Sequence, residues 1–209
     1  MGQILKFPVQ ASKLGYKRVR KRPKAAESPD QLHLFSLPTA QILPFAPELS
    51  VFEQALILDE RGDPTAAEFY AKAIAQQDCV ADAYCNLGII ESQKGNTTRA
   101  FDCFTTSLEH NPRHSEAHYN LGNLYLDVND LRLARIHYEM AGQVDPSFAN
   151  VYFNLALVQA ISNDLASAVA ALTRYQELVS EAEGRKVDEL LHNLKKSLAA
   201  ASSSRRGSA

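Results

Sequence analysis

The sequence predicts an all-α solenoid of four stacked helix-turn-helix units closed by a capping helix, and three observations carry that expectation. Ala66, Ala100, Ala134 and Ala168 stand 34 residues apart, each followed four residues later by Tyr70, Phe104, Tyr138 or Leu172. Leu87-Gly88, Leu121-Gly122 and Leu155-Ala156 recur at that same spacing. Pro112 and Pro146 close two of the repeats. Self-similarity at such a period marks units that bury their apolar faces only by stacking.

The units are expected at about 47–80, 81–114, 115–148 and 149–180. In each, the small residue (Gly88, Gly122, Ala156) lets the two helices of a hairpin approach closely, and the recurrent alanine does so from the second helix. The tripeptides KGN (94–96), VND (128–130) and SND (162–164) supply a residue tolerant of left-handed backbone and then a cap for the second helix. Pro112 and Pro146 cannot continue a helix, so the chain turns there into the next hairpin. The first unit departs, with Glu53 or Gln54 where a leucine is expected and a turn about one residue short. After the fourth, Val187, Leu190, Leu191, Leu194 and Leu198 form one apolar stripe, which predicts a capping helix over 184–199 and a disordered tail over 200–209.

This pattern resembles the tetratricopeptide-repeat family across residues 47–180, most closely over 115–148. The resemblance implies a right-handed superhelix whose concave face is lined by the first helix of every hairpin, and a non-catalytic role as an adaptor or scaffold that binds an extended peptide there. It places Asn86, Asn120 and Asn154 in a row on that face. A primary amide presents donors and an acceptor together, so each asparagine can pair with both groups of one peptide unit. Similar ladders hold peptide backbones in the tetratricopeptide superhelix of the protein O-linked sugar transferases. Phe52, Cys85, Tyr119 and Phe153 share the preceding register position and are expected to offer apolar side-chain pockets, with Asn123 and Asp127 facing the same groove. Family members that grip a C-terminal carboxylate use Lys and Arg on these helices; here stand Asp82, Glu116, Asn150 and Asp127, which favours a partner carrying basic residues.

Charge divides the chain. Residues 1–26 carry eight Lys and Arg and no acid, whereas 27–209 carry a net charge of −10. Residues 1–46 show no sustained period, contain Pro8, Pro23, Pro29, Pro38 and Pro44, and are expected to be disordered. The run KRVRKRPK (17–24) suits anionic polymers, so a nucleic-acid partner is a second expectation; the acidic body holding its own tail, and so inhibiting the groove, is a third. The pentapeptide QLHLF, with Gln31, Leu32, Leu34 and Phe35, looks like the short motif that docks bacterial repair proteins on the sliding clamp. A self-associating structural solenoid is a further alternative.

Other chemistry finds little support. His110, His114 and His118 are evenly spaced, but Pro112 interrupts the helix between them, so no metal site is expected. No phosphate loop, dinucleotide loop or nucleophile elbow occurs, and neither enzymatic activity nor a cofactor is expected. Cys79, Cys85 and Cys103 are an odd set without a CxxC pair, which fits buried thiols in a reducing cytoplasm. No apolar run is long enough to span a bilayer, the N-terminus lacks a secretory signal, and Lys6 breaks the myristoylation pattern.

Overall fold

A computed structural model of the protein describes residues 14–20 and 49–206, with side chains up to residue 201. Among these residues the secondary structure is helical throughout: α1 Val51–Glu60, α2 Ala66–Ala75, α3 Val80–Gln93, α4 Thr97–His110, α5 Ser115–Asp127, α6 Leu131–Val144, α7 Ala149–Ile161, α8 Leu165–Leu178, α9 Glu181–Arg185 and α10 Asp188–Arg206. Helices pair in sequence as α1 with α2, α3 with α4, α5 with α6 and α7 with α8, and every second helix also packs on the first helix of the next pair. The result is an α-solenoid.

The turns obey local chemistry. Gly95, Asn129 and Asn163 take φ of 81°, 60° and 60°, the left-handed conformation that glycine and asparagine tolerate best. In two of these turns the next residue caps the following helix: Asp130 Oδ1 accepts from Leu133 N–H at 2.9 Å and Asp164 Oδ1 from Ser167 N–H at 3.3 Å. Asn96 departs from the expected cap, because its amide instead donates to Glu91 Oε2 at 2.8 Å. In α1 the unexpected Glu53 completes a capping box. Ser50 Oγ accepts from Glu53 N–H, and the Glu53 carboxylate accepts from Ser50 N–H.

Within a hairpin, close approach is set by Gly88 and Gly122. A Cβ at Gly122 would lie 2.6 Å from the Tyr138 ring, and one at Gly88 2.8 Å from the Phe104 ring. Tyr70, Phe104, Tyr138 and Leu172 are fully buried, and Ala66, Ala100, Ala134 and Ala168 pack beside them. Val187, Leu190, Leu191 and Leu194 join the core of the last two hairpins, so α10 does cap the stack. It runs on to Arg206, beyond the end expected at 199, because Ala199, Ala200 and Ala201 are strong helix formers and no breaker intervenes.

Residues 14–20 correct the expectation of a uniformly disordered N-terminal segment. They carry no regular secondary structure, yet Val19 is 1% exposed and sits among Cys85, Ile89, Ala100, Phe104, Ala117, Leu121 and Leu124. The missing period was a sound sign that this stretch forms no helix or strand of its own. It gave no information about a ladder of side chains that could hold it extended.

Candidate functional site

The site is a groove along α1, α3, α5 and α7, and residues 14–20 lie in it. An asparagine inside a helix gives up propensity, because its amide competes for backbone hydrogen bonds. Asn86, Asn120 and Asn154 are each fully buried, and each spends its amide on residues 14–19. Asn154 accepts from Leu14 N–H at 2.8 Å and donates to Leu14 C=O at 3.0 Å. Asn120 does the same for Lys17 at 2.9 and 3.0 Å, and Asn86 for Val19 at 2.8 and 3.0 Å. Later repeats hold earlier residues, so the segment runs antiparallel to the order of the repeats.

The spacing of these pairs is uneven. From Val19 to Lys17 is two residues, the natural repeat of an extended strand, but from Lys17 to Leu14 is three. The extra residue falls at Gly15–Tyr16, where the Tyr119 hydroxyl lies 2.7 Å from Leu14 O and 2.9 Å from Gly15 O. Burial pushes the Tyr119 phenol up to about 12, so it stays a donor.

Side chains add to the grip. Tyr16 stacks on Phe104 with ring centroids 6.2 Å apart, receives a 2.7 Å bond from Ser92 Oγ, and donates to Asp127 at 3.3 Å. Burial first, with the Asp127 charge adding to it, raises its phenol to about 12. Arg18 Nε meets the Asp59 carboxylate at 2.7 Å, and its Nη2 donates to Gln93 Oε1 at 3.4 Å. Asp59 is held from behind by the Tyr70 hydroxyl at 3.2 Å. The Lys17 ammonium lies 5.7 Å from the centre of the Phe148 ring. Arg20 lines a cleft with Leu49, Glu53 and Glu60 at the α1 end of the stack.

The remaining expected site residues sort differently. Asn123 lies behind the ladder, where its Oδ1 accepts from Asn154 Nδ2 at 2.8 Å and from Tyr138 Oη at 2.7 Å. Phe52 belongs to the core of the first hairpin, tilted against Tyr70. Phe153 packs edge-on to Tyr175, in the core cluster that Leu14 also joins. Cys85 is fully buried and lies 3.4 Å from Asn120 Nδ2. Gln31, Leu32, Leu34 and Phe35, and residues 21–24 of the basic run, lie outside the described residues.

The three histidines go to separate duties. His110 stacks on Tyr84. His114 is fully buried, 2.9 Å from Asp82 and 3.3 Å from Glu116. Burial disfavours its charged form, but the two carboxylates outweigh that and raise its pKa. His118 instead meets His137, which stacks on Tyr125.

Sequence reasoning missed the partners that read side chains, namely Asp59, Ser92, Gln93 and Phe104. Gln93 stands 34 residues before Asp127, so the repeat register could have found it, whereas Ser92 has Leu126 at the matching position of the next repeat and Phe104 reads as hairpin packing. For Asp59 the signal was charge complementarity between a basic N-terminal segment and an acidic body.

Comparison with known proteins agrees with this architecture. Tetratricopeptide-repeat family models match residues 81–114, 103–136 and 121–183. Tetratricopeptide repeat protein 8 of Mus musculus is 34% identical over 91 residues, which are 44% of this chain and 18% of that protein. Its Homo sapiens counterpart is 31% identical over 91 residues, 17% of its length. The chain thus matches less than a fifth of the curated relatives' length. Among solved structures, the crystal structure of MamA protein superposes with a TM-score of 0.54 at 16% identity, covering 70% of this chain and 87% of that one. The first TPR of Spaghetti (RPAP3) bound to HSP90 peptide SRMEEVD gives 0.52 at 19% identity, covering 57% and 95%. The TPR2B domain of yeast Sti1, in complex with an Hsp70 segment, gives 0.51 at 19%, covering 56% and 96%. With its 34-residue period, its hairpin stack and these matches, the chain is a tetratricopeptide-repeat protein over residues 81–183.

Proposed function

We propose that the protein is a non-catalytic adaptor that binds an extended segment of another protein in the groove of α1, α3, α5 and α7. The observation that supports this reading most directly is the ladder itself. Three buried amides bond both the N–H and the C=O of Leu14, Lys17 and Val19, so the groove already accommodates an extended backbone. The solved structures of similar fold with bound HSP90 and Hsp70 peptides support protein binding as the general activity. Residues 14–20 then act as an internal ligand that an incoming partner displaces.

Energetics make displacement reasonable. Fixing an extended backbone costs about 1–2 kcal/mol per residue. Each amide hydrogen bond returns about 0.5–1.5 kcal/mol net. Two bonds at every second or third residue therefore return only about half of the ordering cost, burial of Val19 and Tyr16 supplies the remainder, and the segment is held without being locked.

The test is capture of partners from a cell lysate by three forms of the full chain: the natural sequence, a Lys17→Pro/Val19→Asp form with its own segment weakened, and that form with Asn120→Ala and Asn154→Ala added. A protein retained better by the weakened form, and lost with the asparagines while the helical signal and Tm hold, supports the reading. Partners indifferent to the asparagines would place the function elsewhere on the chain.

A further inference from the structure

We infer that the groove selects its partner by side chains as well as backbone, and that the class of partner is a basic extended segment. Its pattern is an aliphatic residue, then tyrosine two positions on, a lysine, an arginine and a β-branched residue, running antiparallel to the repeats. This deepens the adaptor reading above and rests on it.

Each position has a reason on the page. The arginine site is the most discriminating. The Asp59 carboxylate is 6% exposed, and a carboxylate so buried requires a partner. Tyr70 supplies one hydrogen bond from the core side, and Arg18 faces it from the groove side at 2.7 Å. The same guanidinium donates to Gln93 through Nη2, while its Nε meets Asp59 as a charge contact without an aligned hydrogen bond, so the site reads positive charge first and the reach of arginine second. An acidic side chain there would meet Asp59 directly.

The β-branched position fills a closed apolar pocket. Val19 is 1% exposed against Cys85, Ile89, Leu121 and Leu124, so a charge placed there has nothing to pair with. The tyrosine position reads both ring and hydroxyl, through Phe104 for the first and through Ser92 and Asp127 for the second. The lysine position is the most permissive, with an aromatic face at Phe148 in a cleft that also holds Glu116 and Asp145. The order of these sites along the groove gives the code a direction.

An acidic peptide such as SRMEEVD, bound by a protein of similar fold, offers the wrong sign to Asp59 and Asp127. Sharing the fold does not carry over the ligand.

The experiment uses the full chain carrying Lys17→Pro and Val19→Asp, with folding checked by circular dichroism, and a fluorescein-labelled peptide of residues 12–21 followed by anisotropy. The parent peptide should saturate. Peptides with Arg18→Glu or Val19→Asp should bind at least tenfold more weakly, Arg18→Lys should be measurably weaker, and the same residues in reversed order should lose at least tenfold despite identical charge. If reversed and substituted peptides bind as well as the parent, and all lose binding with Asn120→Ala and Asn154→Ala, the groove reads backbone alone and the side-chain code is overturned while the adaptor reading stands. If no peptide binds, both fall. Hydrogen exchange on the natural chain gives a second reading that needs no variant: excess parent peptide should deprotect residues 14–20, and the reversed peptide should not.

Discussion

Asn120 bonds both the N–H and the carbonyl of Lys17, at 2.9 and 3.0 Å, across 103 residues of sequence. The pair is reciprocal, so removing the amide strands two backbone groups at once. Asn120→Ala should cost the docked segment about 1–3 kcal/mol. The expected result is a loss of amide protection in residues 14–20 by hydrogen exchange, with the helices of the second and third hairpins unchanged. Lys17→Pro should reproduce it from the other side, since proline cannot donate to Asn120 Oδ1. Protection that survives either change would show that the amides do not hold the segment.

Much of this was legible in the sequence because repetition is a physical demand. A hairpin that cannot bury its face alone must present the same small and aromatic residues in every unit, and Ala134, Tyr138 and Gly122 do so on schedule. The asparagine row was legible for the same reason. Phe52 and Phe153 were placed by register alone, which says where a Cα lies but not whether a ring turns toward the groove or the hairpin core. Residues 14–20 were illegible as structure because their order comes from amides remote in the chain. The acidity of the body hinted at them and gave no register.

Gly122 and Gly15 offer a contrast that tests packing. A Cβ at Gly122 meets the Tyr138 ring at 2.6 Å, and that ring is pinned by its hydroxyl on Asn123 at 2.7 Å. Gly122→Ala should therefore destabilise the fold by about 1–3 kcal/mol, seen as a lower midpoint in urea. A Cβ at Gly15 meets nothing within 4 Å, so Gly15→Ala should leave the midpoint unchanged.

His118 and His137 make stability fall in acid. Burial, reinforced by the neighbouring His118, brings the His137 pKa down to about 4, and burial lowers His118 as well. A group whose folded pKa lies below its unfolded value near 6.5 binds fewer protons when folded. Its contribution is complete above about pH 6.5 and is lost as pH falls toward 4. Between pH 7.5 and 5.0 the loss from His137 should be about 1 kcal/mol, the full shift being discounted for solvent screening of a partly exposed ring. His114 has the opposite sign: its raised pKa gives stability that is present below its unfolded value and lost as pH rises through the folded one. Chemical denaturation of the natural chain and of His137→Gln across this range checks the assignment. A variant that keeps the full acid slope would remove the histidine pair as its source.

The tether between the groove and its internal ligand sets a limit on any competitor. Arg20 and Leu49 line one cleft, so the docked segment and the start of α1 belong to one chain and lie close together. Such an intramolecular contact presents the segment at an effective concentration of about 1 mM. A separate peptide of the same sequence must compete with that concentration, so its apparent Kd for the natural chain equals its intrinsic Kd plus the effective concentration. However tight the intrinsic binding, the apparent value should stay near ~1 mM. The Lys17→Pro/Val19→Asp chain removes the competitor and should show the intrinsic value, tighter by the ratio of the two. Titrating the labelled peptide of residues 12–21 into both forms measures this directly. Micromolar binding to the natural chain would mean that residues 14–20 do not hold the groove in solution, whereas a wide gap between the two forms identifies a partner as something that must outcompete a ligand the protein already carries.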